Sequence, residues 1–243
     1  MHLNVLASGS SGNGYIIQNE TEALIIECGV PLKEAVRVLD GQLGKVSGCL
    51  VTHSHGDHAG YISQYMRPFH IYATNGTLEE KKALDGEFHC HALPMLSERM
   101  IGGFDVKVFD TVHDTKEPCG FVINHLDAGN MLFLTDTHHV KYRFSFPLDY
   151  ILIECNHADE LVDANIKNGI IPRNVGLRAK ATHMSLARCI RCLQETNLSR
   201  VKAIILIHMS AKNGNEEQFK SAVMAATGKP VYVAKKGFSF PLF

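Results

Sequence analysis

The segment "THSHGDHAG", Thr52 to Gly60, sets His53, His55, Asp57 and His58 within six residues, directly after the apolar run "GCLV". Imidazole nitrogen and carboxylate oxygen are the donors that Zn²⁺ and similar divalent ions take. Four such side chains beside Gly56 predict a tight loop rather than a helix. His53 and His55 can then turn to one ion, while Asp57 and His58 turn to a second. A solvated polar loop gains nothing from three histidines, so metal binding is the reading that accounts for them.

Three more polar residues end apolar runs. His113 follows "FDVKVFDTV", Asp136 follows "MLFLT" and His208 follows "VKAIILI". One histidine at a strand end is ordinarily just solvated. Three such residues after a dense HxHxDH form a far more specific pattern.

With "THSHGDH" followed in order by His113, Asp136 and His208, the chain resembles the metallo-β-lactamase-fold hydrolases over nearly its whole length. More narrowly, "LASGSSGNGYII", "TDT", "ECNH", "THMS" and "IHMS" resemble the YycJ/WalJ-like branch. The resemblance implies an α/β fold, a four-layered αββα sandwich over a single domain of residues 1–243. It also implies a two-metal site in which His53, His55 and His113 hold one ion, Asp57, His58 and His208 hold the second, and Asp136 bridges them. Asp57 is then catalytic as well as a ligand. His183, in "ATHMSLARC", matches a histidine that faces the scissile phosphate in related phosphodiesterases, where it stabilises negative charge or protonates the leaving oxygen. One departure stands out. The family's usual Asp-Ala-Gly after the third strand reads Glu27-Cys28-Gly29 here. The longer Glu27 can still orient a ligand.

Two cations about 3.5–4 Å apart can share a hydroxide, and metal binding lowers the pKa of water to about 7. The implied activity is therefore a binuclear metal-dependent hydrolase, a phosphodiesterase or nuclease of the DNA-exonuclease kind. The alternative is a small-molecule hydrolase acting on a cyclic phosphodiester, thioester or lactam. Zn²⁺ suits the nitrogen-rich donor set best, with Mn²⁺ second.

The composition fits these readings. The 243 residues can bury a sizeable core. No apolar run nears the ~18 residues that span a bilayer, and no signal peptide is apparent. Seven cysteines show no disulfide framework, which predicts a reduced, cytoplasmic setting. Cys189 and Cys192 form a CxxC within a helical pattern and read as packing residues. The formal charge of −1 hides an asymmetry: residues 1–163 hold 22 acidic and 11 basic side chains, and residues 164–243 hold 3 and 13. The basic portion suggests a nucleic-acid partner or a face that balances the acidic part of its own fold. Lys167, Arg173, Arg178 and Lys180 run into His183, and Gly169, Pro172 and Gly176 predict a loop there, one that would carry a phosphate backbone toward the ions.

The elements that must position these residues alternate in type. "LNVLA", "GYIIQ", "ALIIEC", "GCLVT", "IYAT", "FDVKVFD", "CGFVINH", "MLFLTD", "DYILIEC", "VKAIILIH" and "KPVYVAK" predict strands. "PLKEAVRVLD", with Pro31 at the first helical position, "GTLEEKKALD", "MSLARCIRCLQETN" and "NEEQFKSAVMAATG" predict helices. The "SGSSGNG" loop with Ser8, Ser10, Ser11 and Asn13 reads as a structural turn. Asn156 and His157 read as supporting residues near the site. His138 and His139 lie beside a ligand set already complete, His89 and His91 read as surface residues, and His70 has no evident partner.

Overall fold

The β-branched runs form strands, as their side chains favour. The computed structural model describes residues 1–82 and 89–243. Its strands are β1 (His2–Ala7), β2 (Gly14–Gln18), β3 (Ala23–Ile26), β4 (Val46–Val51), β5 (Ile71–Ala73), β6 (Cys90–Ala92), β7 (Glu98–Ile101), β8 (Phe104–Asp110), β9 (Cys119–His125), β10 (Gly129–Leu134), β11 (Tyr150–Glu154), β12 (Ala203–Ile207), β13 (Val231–Val233) and β14 (Ser239–Pro241). The helices are α1 (Leu32–Val38), α2 (Gly56–Ala59), α3 (Ile62–Tyr65), α4 (Asn75–Lys81), α5 (Asp159–Lys167), α6 (Arg173–Thr182), α7 (Leu186–Gln194) and α8 (Glu216–Thr227). Among the described residues, no helix is long and apolar enough to cross a membrane.

The chain divides into two compact units. The first holds Met1–Asp110, Thr115–Gly129 and Lys235–Phe243, and the second holds Thr111–Asp114 and Asn130–Ala234. In the first, seven strands run in the order β14-β1-β2-β3-β4-β5-β6, antiparallel from β14 to β3 and parallel from β3 to β6. Alternate residues Ile16, Ile25, Cys49 and Ile71 face a core shared with Ala35, Leu39, Ile62, Tyr65 and Leu78 of the helical segments. The residues between them, such as Leu24 and Leu50, are buried too. Strands covered on both faces read as continuous apolar runs, which "ALII" and "CLV" do. In the second unit β10, β11, β12 and β13 run parallel. Phe219 and Val223 of α8 and Cys189 and Leu193 of α7 are buried.

Four expectations change. Pro31 sits one residue outside α1, as its N-cap. Thr52 to Gly60 is not all loop, because Gly56–Ala59 closes one turn of helix that carries Asp57 and His58. The helix expected over 76–85 runs over Asn75–Lys81, and residues 83–85 lie outside the described residues. Lys167 to Lys180 is not a loop but the end of α5 and most of α6. Gly169, at φ +69°, ends α5, and Pro172 caps α6. Gly176 breaks nothing: it lets α6 close on α5, and a Cβ there would come within 2.6 Å of Ile166 Cδ1.

Three loops of the first unit are tied together. Cys28 N–H donates to His58 O at 2.7 Å, Gly29 N–H to Asn13 O at 2.9 Å, and Asn13 N–H to Asp57 O at 2.8 Å. Gly29 makes this possible, since a Cβ on it would fall 1.7 Å from Asp57 O. That atom is backbone and cannot swing aside. Gly29→Ala should therefore lower the unfolding free energy by roughly 1–3 kcal/mol, read as a shifted urea midpoint; an unchanged midpoint would show that the three loops yield at little cost.

Candidate metal centre

In the first unit the site residues follow β3 and β4. Glu27, one residue past β3, is fully buried and sits at φ +72°. Its Oε1 accepts a hydrogen bond from Thr52 Oγ1 at 2.5 Å, and Thr52 Oγ1 lies 2.9 Å from His53 Nδ1. The Thr52 hydroxyl donates to the carboxylate, so its oxygen accepts from His53 Nδ1–H. The same Glu27 oxygen lies 3.3 Å from His58 Nδ1. Asn13 fixes the far side of that ring. Gly9 N–H donates to Asn13 Oδ1 at 2.9 Å, which identifies the amide nitrogen as the atom 3.1 Å from His58 Nε2. A donor there requires a lone pair on Nε2. His53 and His58 thus share one tautomer, with the proton on Nδ1 and the lone pair on Nε2. Their rings lie 4.1 Å apart, and His55, half-buried, stands 4.9 Å from His53. Asp57 Oδ2 is 3.5 Å from His58 Nε2.

In the second unit the parallel strands bring their carboxyl ends together, where such sheets carry their chemistry. Asp136 follows β10, Glu154 ends β11 and His208 follows β12. Asp136 and His208 adopt φ +40° and +53°. The two oxygens of Asp136 face different histidines: Oδ2 is 3.5 Å from His113 Nε2, and Oδ1 is 3.5 Å from His208 Nδ1. His113 Nδ1 donates to the Thr182 carbonyl at 2.9 Å, which again leaves the lone pair on Nε2. His183 follows α6, edge-on to His113 and stacked on His208 with ring centroids 5.3 Å apart in both cases. Asp136, Glu154, His183 and His208 each offer a donor atom within 4.8 Å of the others.

Glu154 is the residue that sequence reasoning left without a role. It is fully buried, and its Oε2 accepts from the N–H groups of Thr137 and Met184, each at 3.0 Å. Its Oε1 lies 2.7 Å from His183 Nδ1. Burial disfavours charge on both groups, yet their attraction outweighs it: the Glu154 carboxyl is held below its ordinary pKa and the His183 imidazole above. The signal was present, because a glutamate closing the apolar run "YILI" obeys the strand-end rule that picked out Asp136 and His208. Asn13 reads in the sequence only as part of a turn, and that turn serves the site.

Of the other residues weighed, Asn156 supports His208 by donating to its carbonyl at 2.9 Å. His157 is fully buried, with Nε2 3.6 Å from Asp159 Oδ1. His138 and His139 pair with each other at 3.2 Å. His70 has a partner after all, since its Nδ1 lies 2.8 Å from His91 Nε2. All seven cysteines are free, and Cys189 of the CxxC is buried.

The donor chemistry suits divalent metal. His53 and His113 are held so that Nε2 presents its lone pair, that of His58 faces the Asn13 amide, and each ring has a carboxylate close to Nε2 or behind it. Outer partners of this kind orient ligands and raise their basicity.

The family model described as "Beta-lactamase superfamily domain" matches residues 27–209. The chain is 26% identical over 236 residues to the exodeoxyribonuclease YycJ of Bacillus anthracis, covering 92% of this chain and 88% of that one. Among solved structures, the metallo-β-lactamase-fold protein YhfI of Bacillus subtilis superposes with a TM-score of 0.71 at 16% identity, over 99% of both chains. Zn²⁺-bound PqqB of Methylobacterium extorquens superposes with a TM-score of 0.76 at 13% identity over the full length of both. With its strands, its ordered motif residues and a family match across most of its length, this chain belongs to the β-lactamase superfamily and has the metallo-β-lactamase fold, an α/β sandwich.

Proposed function

We propose that the chain is a metal-dependent phosphodiesterase that hydrolyses nucleic acid, DNA in the first place. The observation that carries this reading is His183, held by a buried carboxylate beside His113, Asp136 and His208. In the proposed assignment His53, His55 and His113 would hold one ion and Asp57, His58 and His208 the second, with Asp136 available to both. The two faces of the Asp136 carboxylate and the Nε2 lone pairs support it. When bound, such ions supply Lewis acidity and a water of pKa about 7; Zn²⁺ fits this imidazole-rich set, and Mn²⁺ is the second choice.

The chain's own residues handle the leaving group. Hydrolysis adds water across a P–O bond, so the departing oxygen needs a proton. His183 Nδ1 is engaged by Glu154, which leaves Nε2 for substrate. Its side chain is 16% exposed while those of Asp136 and His208 are 2% and 1%, so His183 is the group a substrate meets. With its affinity for a proton raised by Glu154, it can give the Nε2 proton to the leaving oxygen. The similarity to a named exodeoxyribonuclease over most of the chain supports DNA as substrate.

The charge asymmetry needs a narrower reading than the sequence suggested. Arg178 is bound to Asp114 at 2.9 Å, and Lys180 to Asp163 at 2.7 Å. Those two cations balance acids of their own unit. Lys167 and Arg173 are exposed and have no ion pair among the described residues, so they are the better candidates for phosphate-backbone contacts.

Two outcomes are expected. His183→Ala should lower phosphodiester turnover by roughly 10²–10⁴-fold with metal content, read by elemental analysis, unchanged; full activity would make His183 structural, and loss of metal would make it a ligand. Glu27→Gln should weaken metal binding by about 10–100-fold in a competition titration against a chromogenic chelator, because it removes the carboxylate charge that stands behind His53, through Thr52, and behind His58. An unaltered affinity would leave Glu27 with no part in holding the ligands.

A further inference from the structure

The assignment above leaves one feature of the second unit unused. A pocket of about 270 Å³ lies against α7, lined by His139, Tyr142, Met184, Arg188, Arg191 and Glu195 among others. Arg188, Arg191 and Glu195 fall at helical spacing and share one face of α7. Met184 follows His183 directly, and its N–H donates to Glu154. The pocket lining therefore includes the residue that follows His183 in the chain. Arg188 is steadied by one bond, from Nη1 to the Lys180 carbonyl at 3.2 Å. Arg191 has no ion pair among the described residues. The one acid of the lining, Glu195, is paired with Arg143 at 3.7 Å.

We infer that this pocket receives the terminal phosphomonoester of a DNA strand, so that the enzyme works from a chain end. The inference rests on the nuclease reading and names how the substrate is presented. A terminal phosphate carries about −1.5 to −2 charge at neutral pH, whereas each internal phosphodiester carries one. Two guanidinium groups on one helix face therefore favour an end over an internal position, and guanidinium forks match phosphate oxygens in pairs. The size agrees. The volume lies just under the ~300–1,000 Å³ of pockets for drug-sized ligands, room for a phosphate and its nucleoside but not for a run of nucleotides. Tyr142 offers a ring on which a terminal base can stack.

The test compares initial rates of the metal-loaded full-length protein on single-stranded DNA ending in 5′-phosphate, 5′-hydroxyl, 3′-phosphate or 3′-hydroxyl, with a circular strand alongside. One phosphorylated end should be cut about tenfold or more faster than its hydroxyl counterpart, the factor one charge-assisted hydrogen bond supplies. That ratio should fall toward one in the Arg188→Gln/Arg191→Gln double variant. A ratio is insensitive to a general loss of activity, and the parent's ratio decides alone if the variant does not fold. Parent rates that are equal on both kinds of end, or a ratio that survives in the variant, would overturn the inference while leaving the nuclease reading intact. Failure to cut any DNA would overturn the nuclease reading itself.

Discussion

The buried carboxylate of Glu27 is the constraint on which the candidate metal-binding histidines of the first unit depend. A charge removed from water persists only where its lone pairs are filled. Glu27 fills them with the Thr52 hydroxyl and N–H, and it faces His58 as well. One side chain thereby stands behind two histidines: it sets the proton position on His53 through Thr52, and its Oε1 lies 3.3 Å from His58 Nδ1. The surrounding loops exist to keep it there. Gly29 lets the Asp57 backbone approach, and Asn13 ties the N-terminal turn to the same backbone. The longer glutamate in place of the family's usual aspartate still reaches Thr52 and His58, from a backbone at φ +72°.

Glu154 repeats the logic in the second unit. Two backbone N–H groups hold one of its oxygens and His183 engages the other. Each unit thus has one buried glutamate behind its histidines. Glu27, Asp136 and His208 all carry positive φ, and none is glycine. Such conformations cost about 1–3 kcal/mol each and survive where the surroundings over-determine them. Each directly follows or lies just past a strand, which is where the fold accepts strain, and the hydrogen bonds around each are what hold it.

Much of this was legible in the sequence. Strands buried on both faces announced themselves as unbroken apolar runs, and polar residues at their ends pointed to His113, Asp136 and His208. Pairing was not legible. Glu154 and His183 are 29 residues apart, and nothing local shows that one neutralises the other. Gly176 reads as a helix breaker until Ile166 is seen against it, since a glycine that relieves crowding and one that ends a helix look the same in one dimension. The basic run before His183 misled for a related reason: its counter-charges, Asp114 and Asp163, come from other segments.

The central claim is that these donors make a metal-dependent nuclease, and its most direct test is a metal titration read by cleavage. The protein is stripped with a chelator, then Zn²⁺ or Mn²⁺ is restored stepwise while the cleavage of end-labelled DNA is followed. The account predicts no cleavage after stripping and a recovery that levels off at two equivalents per chain. Cleavage that survives stripping would contradict it, as would a fully loaded protein that leaves DNA intact while hydrolysing a thioester.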